Sequence, residues 1–408
     1  MPIGSVSASS ALSRPPRRRR CTNSGTSAAS VADSDMPGSL TAPSRHGKAD
    51  PWVRLFLVAL ATPLVTIAPI ARSNPPTKVA GWSLLTFTEP HMGTEFTIRV
   101  WAEAGREADL PPVVKQAFER VRDLEVALSD YRPDSEINAL AKAPAGEPVA
   151  VSDDLYAVFE TAGRLTTATD GAFDITAGPL IRLWRMSRKN NALPTPEQLA
   201  PAKARTGFSN LVLDPDEHTI TKRIEGMLFD VGGIAKGYAA DAALRILKKG
   251  GFPQSLVAAS GDIVVGEPPP GEAGWRIGIE TLELGHDLKD LQTVTLVNQA
   301  ISTSGDTRRY FEYEGVRYSH IVSTKTGLGL TERIGASVIA SDATTSDSHA
   351  TAVALLGPKE GLQFIRNHRG IECQIVVLRD GHEAFLRSDG FPLPPGSQAQ
   401  KESAVAPP

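Results

Sequence analysis

Apolar and polar residues alternate along this chain with two periods, one typical of helices and one typical of strands. Over residues 114–128 the apolar side chains recur at steps of three and four, as on the buried face of an amphipathic helix. The segments 155–165 and 239–247 show the same helical pattern, and a shorter helix is predicted over residues 135–140. Residues 96–100 alternate apolar and polar side chains instead, which predicts a half-buried strand.

The remaining apolar runs predict more strands than helices. Further strands are expected at 257–265, 275–279, 293–297, 316–321, 336–340 and 374–378. Residues 186–210 are polar and contain proline, so we expect a loop there around a short helix near Glu197. Because helices and strands are mixed without a regular βαβ alternation, the pattern predicts an α+β fold.

The two ends of the chain do not share this periodicity. Residues 1–51 are rich in Ser, Ala, Pro and Arg, and we expect them to be disordered or to result from a start codon placed too early. Residues 52–73 are basic near their start, continue with an apolar run and end with small residues. This pattern is typical of a signal peptide, and an uncleaved membrane anchor is the alternative. The folded domain is predicted over residues 82–390, followed by a disordered Pro-, Ser- and Gln-rich tail at 391–408.

Removal of the first 73 residues changes the charge balance and the cysteine count. It leaves 34 of the 43 basic and 43 of the 46 acidic residues, a net charge of −9 against −3 for the whole chain. Such an acidic domain argues against nucleic-acid binding. Cys373 is then the one remaining cysteine, so no intrachain disulfide can form, and its strand-like surroundings predict a buried, inert thiol.

The segment Phe229–Tyr238 is the most informative for function. The apolar residues 227–229 suggest a strand, Asp230 and a glycine pair follow, and the helical pattern begins at once. Such a strand-to-helix turn lets the backbone approach a ligand and offers free helix N–H groups to a phosphate, with Lys236 adding positive charge. An ordinary tight turn is the alternative, because the segment matches neither the P-loop nor the dinucleotide fingerprint.

Two oxygen-bearing residues lie four positions apart at the start of a helix predicted over residues 346–356. Asp347 and Thr351 would then lie on one helical face, and a carboxylate with a neutral hydroxyl suits Mg²⁺. The alternative is an ordinary helix N-terminus, in which Ser346 caps the helix and Asp347 interacts with its dipole.

Two other segments contain candidate chemistry. In the run Gly171–Thr176, Phe173 could stack on a planar ring while Asp174 binds the ring edge; the alternative is a buried phenylalanine beside a turn aspartate. His320 follows a predicted strand and could accept the proton of an attacking hydroxyl, although a single strand histidine is commonly structural.

Together with Met92–Thr94, Ser302–Asp306 and Tyr318–Ile321, these segments follow one another in a specific order. The series, from about Thr88 to Arg379, resembles the ApbE family of FAD:protein FMN transferases. The resemblance implies an α+β fold of mixed, largely antiparallel sheets packed with helices, with a T-fold-like architecture.

The resemblance also implies roles for particular residues. Asp347 and Thr351, with the backbone carbonyl of Gly233, would hold Mg²⁺. His320 would be the catalytic base, with Asp262 a second candidate. The residues matching the family's FAD site are Met92, Tyr131, Ala172, Phe173, Asp174, Asp230, Lys236 and Ile321.

This chain departs from the family pattern at two places. After its His-Ile pair the family has an aliphatic residue and Asp-Pro, whereas here Val322 is followed by Ser323 and Thr324. The family's Asn-x-Gly-Gly-Asp type of turn is Ala258–Asp262 in this chain, so an amide is lost while the aspartate is kept. We expect these changes to affect affinity and rate more than the fold.

The predicted function is Mg²⁺-dependent transfer of FMN from FAD to a threonine hydroxyl of a client flavoprotein, with release of AMP. By resemblance, the clients would be membrane-associated flavoprotein subunits. The signal or anchor pattern of residues 52–73 predicts that the enzyme is periplasmic or tethered to the inner membrane. One alternative is a pyrophosphatase that cleaves FAD to FMN and AMP with water as the nucleophile. A second alternative is a protein that binds or stores FAD without chemistry.

Overall fold

The structure, a computed structural model, describes residues 77–279, 282, 292–305 and 310–392. These residues belong to the second of two units into which the chain divides, residues 67–408. The predicted N-terminal extension, 1–51, and the signal or anchor segment, 52–73, lie outside the described residues, as does most of the predicted tail.

The described residues contain sixteen strands. They are β1 Thr77–Val79, β2 Trp82–His91, β3 Thr94–Glu103, β4 Pro148–Ala150, β5 Leu211–Asp214, β6 Thr219–Lys222, β7 Ser255–Ala259, β8 Asp262–Val265, β9 Trp275–Ile279, β10 Gln292–Leu296, β11 Ala300–Gly305, β12 Tyr310–Tyr313, β13 Val316–Ser319, β14 Ile334–Ala340, β15 Glu372–Arg379 and β16 His382–Arg387. Nine of them form one sheet in the order β1-β2-β3-β7-β8-β11-β14-β15-β16, and the others form a three-stranded sheet and two hairpins. Every pairing between these strands is antiparallel.

Eight α-helices accompany the strands within the described residues. They are α1 Leu110–Leu128, α2 Glu136–Lys142, α3 Asp153–Ala168, α4 Gly178–Asn190, α5 Pro196–Lys203, α6 Ala235–Lys249, α7 Ala343–Leu356 and α8 Pro358–Arg366. Mixed helices and antiparallel sheets confirm the predicted α+β class. None of the helices in the described part of the chain is long and apolar enough to span a membrane.

The large sheet is buried on both faces. Helices α1, α6 and α7 pack against one face and enclose the main core, to which β3 contributes Ile98 and Val100. The next residue of that strand, Trp101, lies on the opposite face and joins a second core with the β9–β10 hairpin. Successive side chains of a strand point to opposite faces, so the apolar run at the end of β3 supplies both cores.

The folded part extends slightly beyond the predicted bounds of 82–390. Strand β1 lies before residue 82 and pairs with β2, Thr77 facing Leu84. At the other end, Phe391 is buried in the second core, and its N–H donates to the carbonyl of Ser388.

Four local predictions were wrong. Residues 227–229 form an extended loop and not a strand, and the strand expected over 257–265 is the hairpin β7–β8. Residues 186–190, expected in a loop, continue α4, which ends at Asn190 and is followed by Asn191 in a left-handed conformation. Helix α7 begins at Ala343 and not near residue 346, because Asp342 caps it by accepting a hydrogen bond from Thr345 N–H.

The sheet register brings two turns to one edge. The β2–β3 turn contains Met92 and Gly93, and the β7–β8 turn contains Ser260 and Gly261. Ser260 N–H donates to the carbonyl of Glu95 at 3.3 Å, so the second turn lies beside the beginning of β3. Met92 and Ser260 have positive φ angles of 50° and 60°, a backbone conformation that is uncommon for residues other than glycine.

Candidate active site

One cavity, of about 1020 Å³, lies between this edge of the sheet and the N-terminal ends of α6 and α7. A volume at the upper end of the range for small-molecule pockets suits a ligand as large as a dinucleotide. All thirteen residues predicted for the site line the cavity: Met92, Tyr131, Ala172, Phe173, Asp174, Asp230, Gly233, Lys236, Asp262, His320, Ile321, Asp347 and Thr351.

Helices α6 and α7 touch where they reach the cavity. A Cβ added to Gly237 would lie 2.0 Å from the carbonyl oxygen of Ala343 and 2.9 Å from the Cβ of Asp347, so this position requires glycine. The close approach lets the Gly237 N–H donate to Asp347 Oδ2 at 3.0 Å. Asp347 is therefore held by the first turn of the neighbouring helix and is only 2% exposed.

A lysine lies between two buried carboxylates. Lys236 Nζ is 2.7 Å from Asp262 Oδ2 and 3.3 Å from Asp347 Oδ2. Burial and the nearby Asp262 raise the pKa of Asp347 to about 7, although Lys236 opposes this shift. Burial alone would lower the pKa of Lys236, but the two carboxylates outweigh it and raise that pKa. When both carboxylates are ionised, this group carries one negative charge in excess.

Thr351 and Gly233 line the same cavity and offer a hydroxyl and a backbone carbonyl oxygen. Thr351 is one helical turn beyond Asp347, and its Oγ1 lies 3.0 Å from the Oγ of Ser304. A Cβ added to Gly233 would lie 3.0 Å from Thr351 Oγ1, so the glycine backbone lies against the threonine side chain. We call Lys236, Asp262, Asp347 and Thr351 the buried end of the cavity.

This donor set fits a hard cation. A carboxylate, a hydroxyl and a backbone carbonyl are oxygen ligands of the kind that Mg²⁺ accepts, with water and phosphate completing its coordination. In the part of the chain that the structure describes, no three His, Cys, Asp or Glu side chains group as a metal site. A cation at the buried end would therefore depend on neutral oxygen atoms beside Asp347.

The opposite end of the cavity is open to solvent. Tyr131 is 75% exposed, and the Arg185 guanidinium lies over its ring, 4.3 Å from the centroid. Arg185 also pairs with Asp130 and, at 2.6 Å, with Asp230 Oδ2. Asp230 in turn accepts a hydrogen bond from Gly232 N–H at 2.9 Å. We call Asp130, Tyr131 and Arg185 the exposed end.

Arg185 was missed in the sequence. The signal lies in α4, whose residues Ile181, Arg185 and Arg188 recur at steps of four and three and all line the cavity. The loop predicted from residue 186 interrupts this pattern before Arg188, and no helix was predicted over residues 178–185.

The Gly171–Thr176 segment forms part of the cavity wall. Both carboxylate oxygens of Asp174 accept hydrogen bonds within the protein, from Thr176 N–H and Oγ1 at 2.8 and 2.7 Å and from Phe208 N–H at 3.0 Å. Burial raises the pKa of Asp174 despite these bonds. Phe173 is 4% exposed and belongs to the main core. These contacts match the structural alternative, and stacking of Phe173 on a ring stays a prediction.

His320 is positioned by helix α4. The indole of Trp184 donates to the carbonyl of Ser319 at 3.1 Å and packs edge-on against Phe311 and Tyr318 of the β12–β13 hairpin. His320 follows this hairpin directly, is half-buried and lines the cavity. Ile321 N–H donates to Ser319 Oγ at 3.1 Å, which tightens the turn.

The first departure from the family pattern has a defined contact. Thr324 Oγ1 donates to the carbonyl of Gly171 at 2.8 Å, so the loop after His320 is attached to the wall that holds Ala172 and Phe173. The hydroxyl thus fixes this loop without the family's Asp-Pro pair.

The fold defines the class of protein, because it matches solved flavin transferases. It is similar to the flavin transferase ApbE from Vibrio cholerae, with a TM-score of 0.69 and 28% identity over 76% of this chain and 98% of that chain. It is also similar to the flavinyl transferase ApbE from Pseudomonas stutzeri in its apo form, with a TM-score of 0.67 and 29% identity over 76% and 96%. This chain belongs to the ApbE family, whose profile matches residues 92–375.

Curated relatives agree with this assignment. A FAD:protein FMN transferase of Vibrio cholerae is 31% identical over 347 residues, 84% of this chain and 99% of the relative. The FAD:protein FMN transferase of Escherichia coli K12 is 28% identical over 294 residues, 70% and 81% of the two chains. The predicted family is therefore confirmed.

Proposed function

We propose that this chain transfers FMN from FAD to a threonine hydroxyl of a client protein and releases AMP, in a reaction that requires Mg²⁺. The observation that carries the proposal is the convergence of all thirteen predicted site residues on one cavity in a chain of this family. The named activity of the relatives supports the use of FAD and a protein acceptor.

The proposed metal ligands are Asp347, Thr351 and the backbone carbonyl of Gly233. Support comes from the charge balance at the buried end, where Asp262 and Asp347 share the single ammonium of Lys236 and carry one excess negative charge when both are ionised. When bound, Mg²⁺ would neutralise the charge of the FAD diphosphate and of the departing AMP. Lys236 would hold the carboxylates in place and contribute positive charge beside the phosphates.

The proposed chemical step exchanges one bond to phosphorus for another. The threonine oxygen attacks the FMN-side phosphorus, the bond from that phosphorus to the bridging oxygen breaks, and AMP leaves with that oxygen. The hydroxyl proton passes to His320, which lines the cavity and is our candidate base. Asp262 is the weaker candidate because its Oδ2 already pairs with Lys236 at 2.7 Å. Positioning and electrostatics carry most of the catalysis of such transfers.

The exposed end would hold the isoalloxazine ring. Tyr131 presents an exposed aromatic face, and Arg185 behind it fixes the ring plane. Lys236 and His320 line the same cavity, where they would act on the diphosphate and on the incoming hydroxyl.

One experiment separates the proposal from its alternatives. The purified protein is incubated with FAD, Mg²⁺ and a threonine-containing client peptide, and the products are resolved by mass spectrometry. We expect covalent FMN-peptide and AMP, and neither product with a Thr→Ala peptide or with EDTA. Free FMN and AMP without modified peptide would indicate the pyrophosphatase, and unchanged FAD would indicate a binding protein.

We also propose that residues 52–73 direct the enzyme to the periplasm or tether it to the inner membrane, where its membrane-associated clients would lie. The support is the basic and apolar pattern of this segment. Fusion of residues 1–73 to a reporter, followed by fractionation, tests the proposal. A reporter that stays in the cytoplasm would contradict it.

A further inference from the structure

Helices α6 and α7 each supply a second-turn carboxylate that accepts hydrogen bonds from the first turn of the other helix. Asp347 of α7 accepts a hydrogen bond from Gly237 N–H of α6 at 3.0 Å. In the other direction, Asp241 of α6 accepts from Ala343 N–H and Thr344 N–H of α7, both at 2.8 Å. The hydroxyl of Thr344 adds a third bond to Asp241 at 2.6 Å. Each helix therefore provides acceptors for amide groups that the other leaves without intrahelical partners.

The spacing makes these contacts reciprocal. Gly237 and Asp241 are four residues apart on α6, and Ala343 and Asp347 are four apart on α7, so one helical turn of each lies against one turn of the other. Asp241 is 7% exposed and does not line the cavity. It cannot contact a substrate there, yet it holds the turn that precedes Asp347.

We propose that Asp241 is a positioning residue that fixes α7 against α6, so that Asp347 and Thr351 meet Gly233 in the geometry of the cation site. This inference rests on the proposed Mg²⁺-dependent function. Displacement of a site by about 1 Å can cost roughly 10²-fold in rate, so a rigid attachment of α7 matters for the chemistry. Asp241 acts on this site only through the helix.

A simpler role for Asp241 is capping of α7, and the chain contains a matched control for it. Asp342 also caps α7, by accepting from Thr345 N–H at 2.8 Å, but the bond stays within its own helix segment. Within the described part of the chain, no hydrogen bond joins the Asp342 side chain to α6. Substitution of each carboxylate in turn therefore distinguishes a capping role from a positioning role.

The test compares Asp241→Asn and Asp342→Asn in the full chain. In Asp241→Asn the amide retains one acceptor oxygen but turns an NH₂ group toward a backbone N–H of α7. We measure FAD binding by fluorescence quenching as a function of Mg²⁺ concentration, and thermal unfolding without metal. We expect Asp241→Asn to raise the Mg²⁺ concentration for half-maximal FAD binding by about 10–100-fold, as removal of groups that orient metal ligands does. Asp342→Asn keeps a capping oxygen but loses the negative charge at the helix N-terminus, so it should lower the unfolding midpoint slightly while leaving that Mg²⁺ concentration unchanged.

A milder pair of variants keeps the test usable if Asp241→Asn folds poorly. Thr344→Val removes only the hydroxyl bond to Asp241, and Thr344→Ser restores it. We expect a smaller rise in the required Mg²⁺ for the valine variant and a wild-type value for the serine variant.

Two results would overturn the inference. An unchanged Mg²⁺ requirement in Asp241→Asn and Thr344→Val, or equal effects of Asp241→Asn and Asp342→Asn, would reduce Asp241 to a helix cap while leaving the proposed function intact. If neither Mg²⁺ nor EDTA changes FAD binding and FMN transfer by the wild-type protein, both the proposed metal function and this inference are wrong.

Discussion

At the buried end of the cavity, Asp347 is 2% exposed and accepts a backbone hydrogen bond from another helix, whereas at the exposed end Tyr131 is 75% exposed and is held by the side chain of Arg185. The buried end is built from helix termini and a sheet edge. The exposed end is built from a loop and one face of α4.

The difference separates two tasks. Charges fixed in a buried site interact strongly and need no rearrangement during the reaction, which favours the chemical step. At the other end the ring of Tyr131 is largely exposed, and an exposed cation–π contact contributes little to stability and adjusts readily, which suits binding of a flat ring. We therefore expect substitutions at the buried end to change rate, and those at the exposed end to change affinity.

The largest expected effect is that of Asp347→Ala, which removes the only charged protein ligand proposed for Mg²⁺. We expect Mg²⁺-dependent AMP release to be abolished. The unfolding midpoint without metal should change little, because burial and Asp262 already oppose ionisation of this carboxylate. AMP release is followed by chromatography and unfolding by circular dichroism. Full activity at ordinary Mg²⁺ concentrations would show that the ligand assignment is wrong.

The next effect is that of His320→Ala. We expect transfer to slow by roughly 10²–10⁴-fold, the usual contribution of a positioned general base. The FAD dissociation constant should change far less, because the imidazole is proposed to act on the incoming hydroxyl. Single-turnover formation of FMN-peptide and fluorescence quenching give the two values. If affinity falls as much as rate, His320 is a cofactor ligand, and Asp262 becomes the first candidate for the base.

A smaller effect is expected at the exposed end. Tyr131→Ala should weaken FAD binding by about 10-fold, consistent with the 1–3 kcal/mol typical of base–aromatic stacking. The transfer rate at saturating FAD should stay near that of the wild type, and Tyr131→Phe should bind normally. A fall in the saturated rate comparable to that of His320→Ala would break the division of tasks between the two ends.

The smallest expected effect is the reactivity of Cys373, a buried thiol on β15 of the large sheet. Burial raises the pKa of the Cys373 thiol on β15 to about 12, so on the order of 10⁻⁴ of it is thiolate at pH 8. We expect iodoacetamide to leave the Cys373 peptide unmodified in the native protein and to modify it after unfolding in urea. Rapid native alkylation, measured by peptide mass spectrometry, would show that this region opens readily.

Helices and strands whose pattern depends on local spacing were predicted best from the sequence. The helical period over residues 114–128 and the alternation over 96–100 correspond to α1 and β3, whose apolar positions are buried in the main core. The predicted site residues converge because short motifs lie at element ends, and the antiparallel register brings those ends to one edge of the sheet.

Contacts between distant segments could not be predicted in the same way. The role of Asp241 depends on the distance between α6 and α7, which Gly237 allows but does not by itself reveal. Arg185 donates hydrogen bonds to Asp130 and Asp230, which lie 55 and 45 positions away from it in the sequence. The start of α7 was misplaced because Asp342 and Ser346 are both good capping residues, and only the folded chain shows which one caps it.

Helix α4 carries two consecutive residues with different connections: Trp184 holds the hairpin before His320, and Arg185 holds Tyr131. Because Trp184 couples α4 to the β12–β13 hairpin, protein engineering would have to exchange the two elements together. A hairpin grafted from a relative would have to bring its own helix, and with that helix the recipient would also receive the donor's residue at the position of Arg185, which holds Tyr131.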